Sequence, residues 1–185
     1  MSACDKAPTA TPTLIPCPLG LLRLRPEMPE DRDFRFRLFC NSRLPEWDLV
    51  QLDPPVREGL MRMQFEAQTA TYAQRFPQAA FDIIELDGQP IGRIVVNRTG
   101  GFVHIVDQAI VPELRRRGLG TAVMRALMDE AAAGGIPVRL KVADVNDPSL
   151  RLYLRLGFRR IDEAPLYMEL EWTAPEQALG PDRGS

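Results

Sequence analysis

The chain has 185 residues, 45% of them apolar, and a formal net charge of −2. That size and composition suit one domain with its own core, and the mild acidity, with a pI near 5.5, argues against a broad nucleic-acid-binding face. Cys4, Cys17 and Cys40 fit neither a disulfide framework nor zinc-ligand spacing, charge and proline after Met1 interrupt any signal peptide, and no run of about 18 apolar residues could span a bilayer, so a reduced cytoplasmic protein with no metal and no membrane partner is expected.

Residues 1–18 are rich in Pro, Thr and Ala without periodicity, and residues 174–185 repeat the pattern, so both read as disordered tails around a single domain over 19–173. Leu21–Arg25 predicts a first strand stopped by Pro26, followed by a helix over Glu30–Phe39. A loop holding Asn41, Pro45, Trp47, Pro54 and Pro55 then leads to a long helix over Val56–Arg75. On that helix Met61, Phe65, Tyr72 and Phe76 make one apolar stripe, and Val56, Leu60, Met63 and Ala67 a second; Gln64 and Gln68, one turn apart, read as an exposed polar face or as substrate contacts.

Phe81–Leu86 and Pro90–Val96 predict strands joined by Asp87-Gly88, a dipeptide suited to a tight turn with positive φ. Gly100-Gly101 turns the chain into a strand over Phe102–Val111. The helix over Leu119–Ala133 places Leu119, Val123, Ala126, Leu127 and Ala131 on one stripe and ends at Gly134-Gly135. A buried strand over Val138–Val142 follows, then a short helix from Pro148 to about Leu156 opened by Asp147-Pro148, and strands near Phe158–Ile161 and Tyr167–Trp172.

Between the strand ending Ala109-Ile110-Val111 and the long helix that follows, Arg115-Arg116-Arg117-Gly118-Leu119-Gly120-Thr121 supplies the parts of an anion site. Backbone N–H groups of a glycine-containing turn meet the positive end of a helix dipole, and a Cβ at Gly118 or Gly120 would bar the turn or the ligand. A nucleotide-binding P-loop is excluded, because no lysine stands in the required G-x-x-x-x-G-K-[ST] arrangement.

The pattern Arg115-x-x-Gly118-x-Gly120, with Asn146 seven residues before Tyr153 in Leu152-Tyr153-x-x-Leu156-Gly157-Phe158, resembles the GNAT superfamily of acyl-CoA-dependent N-acyltransferases over residues 102–160. The resemblance implies an α/β fold of the α+β type. Its mixed, mainly antiparallel sheet would have six or seven strands, flanked by about four helices and splayed by a bulge between the fourth strand (102–111) and the fifth (138–142). It further implies acetyl-CoA as co-substrate and an amine acceptor, on a small molecule or a protein, acetylated by direct attack in a ternary complex within a monomer or homodimer. The backbone N–H groups of Arg116, Arg117, Gly118, Leu119, Gly120 and Thr121 would take the diphosphate, and Ile110 and Val111 would pair with the pantetheine arm as an added strand. Asn146 would bond the pantetheine amides, or else be a turn residue. Tyr153 would give its phenolic proton to the departing thiolate.

An ammonium must lose a proton before it attacks. Asp107, placed just before the expected bulge among apolar neighbours, is the preferred acceptor of that proton. His104, the single histidine, is the alternative, and deprotonation in bulk or by a residue of the first half stays open. The pocket for the acceptor is expected between the first two helices, their loop with Trp47, and the Asp162–Tyr167 turn. A CoA-binding regulatory domain without chemistry is the competing function.

Overall fold

The computed structural model describes residues 13–47, 52–142, 149–164 and 167–175, and within them eight strands form one sheet in the order β1-β2-β3-β4-β5-β6-β8-β7. The strands are β1 (Thr13–Cys17), β2 (Gly20–Pro26), β3 (Ala80–Leu86), β4 (Gln89–Asn97), β5 (Val103–Ile110), β6 (Val138–Val142), β7 (Arg159–Ala164) and β8 (Tyr167–Trp172). The helices are α1 (Arg32–Trp47), α2 (Pro54–Arg75), α3 (Leu119–Ala133) and α4 (Leu150–Arg155). All neighbouring pairs are antiparallel except β5 and β6. The expected mixed α/β fold is therefore present, with one strand more than expected.

That extra strand corrects the reading of residues 13–17 as part of a tail. Thr13–Cys17 pairs in register with Gly20–Leu24, and Ile15 is 4% exposed in the core. The composition misleads because Pro16 reads as a breaker, whereas an edge strand hydrogen-bonds on one side only and accommodates proline there. The first helix also runs to Trp47 rather than stopping at Phe39: Leu38 and Phe39 are buried, and Pro45 arrives only in the last turn, so the hydrogen bond it removes lies at the end of the helix and not in its interior.

Strand alternation sorts the core into two layers. One face of the sheet carries Leu22, Leu24, Ile84, Ile94, Val96, Val103 and Ile105 against the α3 stripe of Leu119, Val123, Leu127 and Ala131, joined by Met124 and Met128. The opposite face lies under α1 and α2, where Phe36 and Phe39 pack on Phe65 with ring centroids 5.5 and 5.7 Å apart. Only the first stripe of α2 is internal. Met61 and Phe65 are buried, whereas Val56 and Met63 are 50% and 61% exposed, so the second stripe faces solvent. The Asp87-Gly88 turn takes φ of 51° and 75°, as a tight hairpin needs. At Gly92 the sheet tolerates no side chain, since a Cβ would stand 2.5 Å from the carbonyl oxygen of Ala109.

Candidate active site

Among the described residues, the one parallel pair in the sheet is also the shortest. β5 and β6 pair over Val103–Ile105 and Val138–Leu140, after which β5 continues to Ile110 with no strand partner on that side among the described residues. Immediately after the last β5–β6 pair the β4–β5 register slips: Val96 faces Ile105 but Val95 faces Asp107, so Val106 is a bulge. The bulge therefore precedes Asp107 rather than following it. Its consequence is geometric. In a regular strand residues three apart lie on opposite faces, but one extra residue puts His104 and Asp107 together on the face beneath α1 and α2.

The unpaired stretch of β5 ends beside the start of α3. Gly118 has φ of 81° and Arg116 has φ of 59°, and between them the chain turns into the helix. Among the described residues, no acceptor meets the backbone N–H groups of Arg116, Arg117, Gly118, Leu119, Gly120 and Thr121; the first internal donor is Ala122, whose N–H lies 2.9 Å from the carbonyl of Gly118. Six unengaged donors thus lie in sequence at the positive end of a 15-residue helix. The side chain of Gln108 fixes this turn to the sheet by donating to the Gly120 carbonyl at 3.1 Å, and Arg115 Nε donates to the Ile110 carbonyl at 2.9 Å. Neither clip was legible in the sequence.

Val111 is less suited to the expected pantetheine pairing. Its N–H donates to Ile91 and its carbonyl accepts from Leu114, so both groups are used within the protein. By the alternation of an antiparallel ladder, the Ile110 backbone then turns to the opposite edge, toward the gap before β6. Ile110 keeps the geometry for such pairing through its N–H, while its carbonyl is held by Arg115.

Asp107 sits in a buried group of charges. Arg93 Nη1 donates to Asp107 Oδ2 at 3.2 Å, and Arg93 Nε donates to a Glu27 oxygen. The other Glu27 oxygen is 3.2 Å from Arg35. Side-chain exposure is 8% for Arg93 and 10% for Glu27 but 30% for Asp107, so the carboxylate of Asp107 is the member of the group that opens outward. Desolvation is the strongest influence on Asp107 and pushes its carboxyl above the usual range, against the pull of Arg93. Tyr72, half-buried beside this group, is pushed up to about 12, chiefly by desolvation and secondarily by the Asp107 charge.

His104 has a different setting. Its ring is flanked by Phe76 and Phe102 at centroid distances of 5.3 and 6.1 Å, and burial lowers its pKa against the opposing pull of Glu169. The sign follows directly. The fold favours the neutral ring, so the contribution of His104 to stability is complete above its ordinary value of about 6.5 and is lost as pH falls below it. Because the chain holds one histidine, an NMR titration of its imidazole gives an unambiguous midpoint. That midpoint is expected below 6.5, and one at or above 6.5 would contradict the burial argument.

Tyr153 lies on α4, partly buried against the α3-side core, with its ring edge-on to Phe158 at 5.8 Å. Asn146 and the Asp147-Pro148 start fall outside the described residues, as do parts of the α1–α2 connection and of the β7–β8 turn, including the side chain of Trp47. Gln64 and Gln68 are half-buried rather than a fully exposed face, with Gln64 Oε1 enclosed. A cavity of about 840 Å³ shares Glu27 and Arg35 with the charge group around Asp107 and is lined also by Thr69, Phe81, Asp82 and Arg98.

Residues 41–158 match the model of the acetyltransferase (GNAT) family. The chain belongs to this family. The curated relatives include an N-alpha-acetyltransferase of Sulfurisphaera tokodaii, 32% identical over 98 residues, which are 45% of this chain and 59% of that protein. Another is an N-acetyltransferase 9-like protein of Schizosaccharomyces pombe, 33% identical over 43% of this chain and 42% of that protein. The match thus spans less than two thirds of either relative. Among solved structures, the PaiA N-acetyltransferase of Thermoplasma acidophilum in complex with coenzyme A has a TM-score of 0.63 at 17% identity, covering 83% of this chain and 99% of that one. RimJ of Mycobacterium smegmatis in complex with CoA-disulfide has a TM-score of 0.60 at 19% identity, covering 89% and 88%. At these identities the likeness concerns the GNAT fold itself, whose sheet and helices correspond to those described above. Among the described residues of this chain no helix is long and apolar enough to cross a membrane.

Proposed function

We propose that this GNAT protein is an acetyl-CoA-dependent N-acetyltransferase acting in the cytoplasm through a ternary complex. The observation that carries the proposal is the gap between β5 and β6 running directly into the unengaged amides at the start of α3. That combination suits a long ligand with an anionic middle and a reactive end, which is the shape of an acyl-CoA. The amides of Arg116 through Thr121 would hold the diphosphate. The arm would run along the Ile110 edge, with Asn146 at its amides, and bring the thioester carbonyl to the level of the Val106 bulge.

The chemistry then divides between two side chains. Asp107 takes a proton from the substrate ammonium, directly or through one water, and the neutral amine attacks the thioester carbonyl. As the tetrahedral adduct collapses the C–S bond breaks, Tyr153 gives its proton to the thiolate, and the nitrogen's remaining extra proton returns to the phenolate. Asp107 releases its proton to solvent. The raised Asp107 carboxyl fits this role, because a base closer to neutrality exchanges protons more readily with an amine than an ordinary aspartate does.

The name of the Sulfurisphaera tokodaii relative makes an α-amino group the acceptor to test first. The test is release of CoA thiol from acetyl-CoA over a panel of short peptides with free N-termini, amino acids, polyamines and lysine-containing peptides. Thiol release with at least one class is expected. CoA binding without release across the whole panel would favour a regulatory CoA-binding domain instead.

A further inference from the structure

We propose that Arg93 is the positioning residue for Asp107, and that Glu27 in turn holds Arg93. The inference rests on the reading of Asp107 as the proton acceptor and adds two residues to that site.

Arg93 is an unusual residue for its place. It stands in β4 between the buried residues Gly92 and Ile94 and is 8% exposed, in a central strand where an aliphatic side chain would bury apolar area at no desolvation cost. A buried ion pair is generally no more stabilising than well-packed apolar residues of similar volume. Stability therefore gives no reason for an arginine here, whereas orientation of Asp107 does.

Three features act on the guanidinium. Nε is bound by Glu27, Nη1 binds Asp107, and the rings of Tyr72 and Phe81 lie 6.0 and 5.7 Å from its central carbon. Glu27 is itself fixed from both ends. Its N–H donates to the Phe81 carbonyl at 2.9 Å, and the loop that carries it is closed by Arg25, which grips Asp31 through both terminal nitrogens at 2.6 and 2.8 Å. The Val106 bulge supplies the last requirement. Without it Asp107 would point toward α3, away from Arg93. A rigid loop, a clamped arginine and a bulge thus converge on one carboxylate.

The other groups facing Asp107 are Arg43 and, through Glu27, Arg35 from α1, Tyr72 from α2, and His104 on its own face of β5. Arg93 and Arg43 favour the ionised carboxylate, and Glu27 and burial oppose it. Opposite signs for Arg93 and Glu27 give a test that a merely structural role would not satisfy. The readouts are a ¹³C NMR titration of the aspartate carboxyls, with Asp107→Asn identifying the Asp107 signal, and the pH dependence of kcat/KM with the best amine of the panel above. Arg93→Gln should raise the Asp107 midpoint by about one unit or more, the scale of losing one adjacent opposite charge, and move the acid limb of kcat/KM up by the same amount. Glu27→Gln should move both downward. Arg93→Lys, which keeps the charge but loses the fork, should hold the midpoint near wild type and lower kcat. Should Arg93→Gln fail to fold, the Glu27→Gln and Arg93→Lys arms decide alone. An unchanged midpoint in the folded charge-neutralising variants would overturn the positioning role while leaving Asp107 as base. An acid limb that persists in Asp107→Asn would overturn both.

Discussion

Gly120→Glu is expected to abolish measurable CoA binding while leaving the protein folded. Gly120 is the second residue of α3, where a Cβ would meet nothing closer than 3.6 Å, from the Gln108 amide nitrogen that already bonds the Gly120 carbonyl. A Cβ there makes only ordinary van der Waals contacts on a helical backbone, and helix propensity favours the replacement by up to about 1 kcal/mol. A carboxylate in the first turn also suits the helix dipole. The same dipole and the same amides are what the diphosphate would use, so the new side chain would occupy the site and oppose the incoming anion. Isothermal calorimetry should show a loss on the order of 100-fold or more, equivalent to about 3 kcal/mol, with an unchanged or slightly raised melting temperature. Gly120→Ala, with bulk but no charge, should fall between. Gly118 is the poorer position for this test: its φ of 81° strains any other residue, and a Cβ would press on Pro18 at 3.2 Å, so lost binding there would not separate from a disturbed turn. Wild-type affinity in Gly120→Glu would remove the helix start from the proposed site.

The parts of the molecule that the sequence makes legible are those set by near neighbours. The α3 stripe, the Asp87-Gly88 turn and the glycine that closes α3 all follow from periods of a few residues or from the φ a turn demands. The misread parts depend on what lies across the sheet. Nothing in Thr13–Cys17 alone distinguishes an edge strand from a proline-containing tail, because its stabilisation comes from Gly20–Leu24 and from the core under Ile15. Both apolar stripes of α2 look equally suited to burial, and only packing on α1 selects the one with Met61 and Phe65.

The site divides along the same line. The glycine turn and Tyr153 stand in short patterns that carry the family resemblance. The group around Asp107 joins residues 66 and 14 positions apart, and no local spacing joins Glu27 to Arg93 or Arg93 to Asp107. One signal was present: a lone arginine in the apolar run Ile91–Val96 marks a buried charge that needs partners. The bulge could be expected but not located to the residue, and a one-residue error decides which face of the sheet receives Asp107.

Tyr153→Phe should lower turnover by roughly 10²- to 10⁴-fold, the span associated with a general acid, with little change in CoA affinity. The substitution isolates the hydroxyl. The ring would stay against Phe158, and the Tyr153 carbonyl would still accept from the Phe158 N–H at 3.0 Å, so α4 keeps its place. Affinity should persist because the diphosphate contacts proposed above lie on backbone amides some 30 residues earlier in the chain. The expected size of the effect also constrains the mechanism. A phenol ordinarily ionises near 10 and a thiol near 8.5, so full proton transfer to the thiolate is uphill by about 2 kcal/mol in water. The hydroxyl thus serves chiefly while the C–S bond is breaking, and the collapsing adduct's nitrogen then restores the phenol. Two measurements separate this from a packing role: kcat should fall while the dissociation constant for CoA holds, and an alkaline limb arising from loss of the phenolic proton should vanish in the Phe variant. Undiminished turnover would remove Tyr153 from the reaction and shift protonation of the thiolate to water.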